Sequence, residues 1–165
     1  MRGRSMSSMD LKQRQRGMAL LVSLVFLLLL TLIGLSSMQS ATLQEKMTSS
    51  VMQRNQSFQI AEAALRIGES AVQVETYSLA VCTTTTQCAP PADSATVTTA
   101  GRNSSSGVLW VAAAGGFYGV QNIGITQDAV NLDLSGQSVT LYRITAVAVV
   151  GNNQRSVVES IYAKY

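Results

Sequence analysis

The sequence predicts an α+β fold in which one long N-terminal helix lays its outer half on a C-terminal antiparallel β-sheet. Three observations carry this expectation. Residues Met18–Gln44 form 27 consecutive uncharged positions, and an apolar run of that length reads as a membrane-crossing helix. The stretch that follows lacks proline and repeats its larger apolar residues at helical spacing. Beyond about residue 78 the composition turns to Thr, Ser, Val and Gly, and the chain ends in two period-two segments. Four parts follow: a basic leader over 1–17, a membrane and assembly helix over 18–40, an exported amphipathic half over 41–77, and a β-rich globular part over 78–165.

Charge is distributed unevenly. Arg2, Arg4, Lys12, Arg14 and Arg16 stand against Asp10 in the leader, net +4, while the remaining chain carries seven basic and eight acidic residues, net −1. The basicity therefore belongs to the leader, and the body has no basic stripe to follow phosphates, so nucleic acid is not an expected partner. At about 1.5 Å per residue, Met18–Met38 alone spans the roughly 30 Å of bilayer hydrocarbon. A removable secretory signal has an apolar core of only about 7–15 residues and a small-residue cleavage site. Here the core is longer and "GLSS" at 34–37 is a poor site. Positive charge before the block and none directly after it orients the N-terminus to the cytoplasm.

In the exported half, Val51, Phe58, Leu65 and Val72 step by seven, Leu43 and Met47 lead into them, and the small residues Ala61 and Gly68 lie on the adjoining row. The expected sheet-packing face is thus Met47, Val51, Phe58, Ala61, Leu65 and Val72. Glu62 and Arg66, four apart, support the helix from the solvent side. Gly34, Ser36 and Ser37 are its weakest helix formers, and local bending or melting is expected there within a filament.

In the globular part "CTTTTQC" sets Cys82 and Cys88 five residues apart, and an exported location predicts that they form a disulfide. "SATVTT" (94–99) and "VLWVAAA" (108–114) read as short strands, with Trp110 in the core and "GGFYG" (115–119) as a loop. Asp128 and Asp133 are too little for a calcium loop and read as solvated turn residues. In "SVTLYRITAVAVVGNNQRSVVESIYAKY" the residues Tyr142, Ile144, Ala146, Ala148 and Val150 share one face, and "GNNQ" turns the chain back into a partner strand.

Catalysis is not expected. The chain has no histidine and two cysteines, which removes the Ser-His-Asp and Cys-His schemes and any Cys/His zinc site. No phosphate-binding glycine loop occurs. No cofactor and no metal are expected.

A lone glycine between a basic leader and an apolar block, as in "QRQRGMALLV", resembles the prepilin processing site, where a membrane-embedded peptidase cuts after the glycine and methylates the new amine. "FQIAEAALR" at Phe58–Arg66, following "RGMALLVSLVFLLLLTL" and "SATLQEKM", resembles the N-terminal region of the PilX-type minor pilins of bacterial type IV pili. That resemblance covers about residues 14–72, and "YRITAVAVVG" with "RSVVESIY" is similar to the family's C-terminal segment. It implies a type IV pilin-like roll, cleavage between Gly17 and Met18 and N-methylation at Met18. The implied partners are prepilin peptidase, the inner membrane, and other minor pilins and the major pilin, met through the N-terminal helix. The implied location is a single pass in the inner membrane with the C-terminal domain in the periplasm, then the filament or its tip. The implied role is structural, in a priming or tip complex of minor pilins.

Val22 departs from pilins at large, in which the fifth mature residue is glutamate. A terminal ammonium in a greasy helical core needs a counter-charge, and valine supplies none. PilX-type pilins, like the tip pseudopilin of type II secretion, commonly lack the glutamate, which implies a place at or near a tip, or few copies. Two rivals share parts of this pattern: a minor pseudopilin of a type II secretion system, and an unprocessed, signal-anchored exported domain that binds a ligand or surface.

Overall fold

A computed structural model describes residues 10–128, 137–151 and 153–165. The chain divides into a first compact unit ending at Ser49 and a second, Ser50–Tyr165. Helix α1 spans Asp10–Gln73, and the short α2 spans Thr85–Cys88. A 3-10 turn follows at Ala92–Ala95. The strands are β1 (Gly101–Arg102), β2 (Leu109–Ala113), β3 (Gly116–Thr126), β4 (Val139–Val150) and β5 (Gln154–Lys164). All five pair antiparallel with their sequence neighbours in the order β1-β2-β3-β4-β5. The fold is α+β and pilin-like, as the sequence predicts.

The C-terminal hairpin forms as the alternation predicts, with an unbroken register from Thr140↔Lys164 to Val150↔Gln154. Tyr142, Ile144 and Ala146 meet Ala64, Leu65 and Val72 of α1, with Val120 from β3, in one core. The other sheet face carries a second core of Val108, Trp110 and Val147, with Val97 and Phe117 against it. Central β4 is consequently buried on both sides, from Ile144 through Ala148.

Two expectations are corrected. Residues 94–99 are not a strand. Pro91 precedes the 3-10 turn, Thr96 and Val97 donate their N–H groups to the Asp93 carbonyl, and the Asp93 carboxylate accepts from Trp110 Nε1 at 2.5 Å. Local turn bonding thus wins over the β-propensity of Thr and Val, and the segment covers the second core. Nor is "GGFYG" a loop. Ala114 and Gly115, both with positive φ, make a two-residue hairpin turn, and Gly116–Gly119 already belong to β3. Two glycines of that strand answer to crowding: a Cβ on Gly116 would lie 2.6 Å from the Val147 carbonyl oxygen, and one on Gly119 would strike Val108.

Candidate functional site

The candidate site is α1 itself, the element that carries the long apolar run, taken in each unit separately. In the first unit every described side chain from Met18 to Ser49 is exposed. An 18-residue window of this helix reaches a mean hydropathy of 2.9 with none of it buried. Hydrophobicity runs round the whole circumference, the pattern of a helix meant for lipid or for other helices. Leaving a Leu, Val or Phe side chain in water forgoes about 1.5–3 kcal/mol each. Twelve such residues are bare between Leu20 and Leu35, so an apolar surrounding must be supplied from outside this chain.

Ser23 and Thr31 fold their hydroxyls onto carbonyls three residues back, and Ser37 onto one four residues back. The hydroxyls are thereby satisfied internally, which removes the cost of carrying them into hydrocarbon. The helix runs without interruption through Gly34. Gly17 and Met18 also lie inside α1, and Met18 and Val22 are both exposed. Glycine, about 1 kcal/mol poorer than alanine in a helix, makes the Gly17–Met18 junction a low-cost place for the backbone to open.

In the second unit the helix face that packs on the sheet is Ser57, Ala61, Ala64, Leu65, Gly68 and Val72, all buried. Met47 lies in the first unit, and Val51 and Phe58 are not on that face. The three are 69%, 57% and 50% exposed respectively. The step of seven overlooked the drift of a 3.6-residue helix away from a strict heptad. It also gave weight to size where the contact demands smallness: a Cβ on Gly68 would sit 2.7 Å from Ile144 Cγ2 and 2.9 Å from Tyr118 Cδ2. The spacing Ser57–Ala61–Ala64–Gly68 was the available signal for this face.

Polar ties flank the small-residue contact. Ser57 and Ser156 hydroxyls pair at 2.6 Å, and Ser160 donates to Glu69 at 2.7 Å. Lys164 Nζ donates to the carbonyls of Val74 and Tyr77 just past the helix end, where a cation also meets the negative end of the helix dipole. Tyr77 stacks edge-on with Tyr142, ring centres 5.7 Å apart. Burial, followed by the neighbouring phenols of Tyr118 and Tyr142, raises the Tyr77 pKa above 10. The exposed Glu62–Arg66 pair at 3.7 Å adds little.

On the far face, the Cys82–Cys88 disulfide closes a small loop. Sheet side chains hold that loop by its carbonyls: Gln121 Nε2 donates to Gln87 and Ala89, and Arg143 donates to Cys88. Arg143 Nε also lies 2.9 Å from Glu159 Oε1, but its N–H points off that line, so charge attraction rather than an aligned hydrogen bond joins the two. Arg102 is the one ionisable side chain among the described residues that line a cavity of about 270 Å³ beside the disulfide, and no acid–base pair stands there. Among the described residues no three Cys, Asp or Glu side chains gather as a metal-binding group. Asp128 is exposed and its N–H donates to Thr126 Oγ1, and Asp133 lies outside the described residues.

Residues 16–66 match the family model described as PilX N-terminal. No curated protein and no solved structure matches this chain.

Proposed function

We propose that this chain, whose residues 16–66 match the PilX N-terminal model, works as a minor pilin in a priming or tip complex from which major pilin polymerises. In this reading residues 1–17 are a leader, and prepilin peptidase cuts after Gly17 and methylates Met18. Residues 18–40 hold the subunit in the inner membrane, with 41–77 and the 78–165 body in the periplasm. On assembly the stem leaves lipid for the stems of other minor pilins and the major pilin, and the subunit passes into the filament or its tip. The role is structural.

The observation that carries the reading is the stem from Met18 to Ser49, apolar through its first half and bare on every side. A helix exposed to that extent is stable only among lipids or other apolar helices. The family match over the same residues supports helices as the final surroundings. Val22 fits a subunit that has no neighbour's terminal amine to neutralise, hence one at a tip or in few copies.

Mass spectrometry of native protein tests the maturation step. The expected N-terminus is N-methyl-Met18, and an intact Met1 in all of the membrane-purified protein would overturn it. Placement is tested by Val22→Glu, which should shift the subunit into the shaft or raise its copy number. Unchanged incorporation and position would count against the tip assignment.

A further inference from the structure

We propose that β5 is a docking edge that accepts an extended strand from a different polypeptide. β5 ends the sheet order and is eleven residues long, so among the described residues no strand lies along one whole side of its backbone ladder. Folded proteins protect such edges with proline, a bulge, shortness or outward charge. None is used here. The β4–β5 register is continuous, β5 contains no proline, and its charged residues are occupied within the chain. Arg155 donates to the Ser94 and Val97 carbonyls, Glu159 pairs with Arg143, and Lys164 holds the carbonyls at the end of α1. Between them Val157 and Ile161, on one face of the strand, stay 45% and 51% exposed. The opposite edge, β1, has only two residues.

The occupant follows from direction and charge. Ser57 meets Ser156, Glu69 meets Ser160 and Val74 meets Lys164, so α1 and β5 run the same way and the chain enters the second unit at the Gln154 end. A two-fold β5–β5 pair of identical copies is antiparallel and would bring the two chains in from opposite ends. Copies anchored in one membrane enter from the same side, an argument that rests on the membrane-anchored reading above. The strand therefore comes from another chain. Beside the Gln154 end lies a groove of about 450 Å³ lined by Arg54, Asn55, Phe58, Gln154 and Val157. Among the described residues Arg54 makes no ion pair. The fitting strand has β-branched or aromatic residues opposite Val157 and Ile161 and a carboxylate near the Gln154 end.

Photo-crosslinking of the full chain in cells tests this, with p-benzoylphenylalanine at Val157 or at Ile161, and at exposed Leu109 of β2 as control. Crosslinked residues are mapped by mass spectrometry, and the N-terminal mass is read on the same sample. The expected result is that both β5 positions join one extended segment of one different chain, about four residues apart, and that Leu109 does not. Arg54→Glu, or Val157→Lys with the crosslinker at Ile161, should lower the yield about tenfold, the loss expected from about 1.4 kcal/mol. Links to a second copy, the same links from Leu109, or no link from β5 would each overturn the docking edge, whatever the N-terminus. An intact Met1 with the β5 links retained would sink the maturation step and leave the docking edge standing.

Discussion

The two halves of α1 invert the usual relation between greasiness and burial. From Met18 to Leu35 nearly every residue is apolar, and every one is exposed. From Ser57 to Val72 the helix is mixed, and its buried face consists of Ser, Ala, Gly and two aliphatic residues. Hydrophobic content identifies what must eventually leave water; steric fit decides what is covered within the subunit. The first half depends on surroundings that other molecules provide, whereas the second depends on a close contact with β3 and β4, flanked by polar ties to β5.

Changes at that contact should therefore have the largest effect on the folded unit. Gly68→Val drives a branched side chain into Ile144 and Tyr118, and calorimetry of the purified full chain should show loss of the cooperative transition or a destabilisation of about 3 kcal/mol or more. Ile144→Ala, fully buried, should cost about 2–5 kcal/mol in denaturant titration. The matched change in the other half, Leu28→Ala, should leave that transition within about 0.5 kcal/mol. Its effect should appear in membrane partition and assembly. If Leu28→Ala and Ile144→Ala destabilise the folded unit equally, the contrast between the halves is wrong.

Removing the disulfide with Cys82→Ser and Cys88→Ser comes next. A loop of this size gives about 2 kcal/mol on the chain-entropy view, and the polar ties from Gln121 and Arg143 should keep part of the segment in place. Hydrogen exchange should quicken over 82–97 while the β4–β5 hairpin stays protected.

The smallest effect concerns Tyr77. Its raised pKa means that the unfolded phenol ionises first as pH rises, so the unfolded state loses protons before the folded one. The stabilising contribution is complete below the ordinary value of 10 and is lost as pH climbs from 10 through the higher folded pKa. Denaturant midpoints should fall over that range, and Tyr77→Phe should flatten the slope.

The sequence made some of this legible and concealed the rest for physical reasons. The stem was evident because an uncharged run of that length has few other uses. The β4–β5 hairpin was evident because period-two alternation and "GNNQ" agree. The start of β3 was hidden because Gly116 and Gly119 are there for close packing, yet glycine in a sequence usually marks a turn. The stretch 94–99 misled because Thr and Val favour strands while Asp93 and Trp110 fix a local turn. On the helix, large residues drew attention to Val51 and Phe58, although the contact is made by the small ones between them. Gly17, Met18 and Val22 stand apart: the processing proposed for this end of the chain would be chemistry done to it, which no packing pattern records.

The parallel course of α1 and β5 has a mechanical consequence. Tension applied along the outer helix would load the Ser57–Ser156, Glu69–Ser160 and Lys164 ties together, sliding helix against strand in shear instead of peeling bonds apart singly. Because β5 is also zipped to β4 along its length, the pull would spread into the sheet. A subunit strung in a fibre that is hauled on from one end would gain toughness from the direction in which its last strand happens to run.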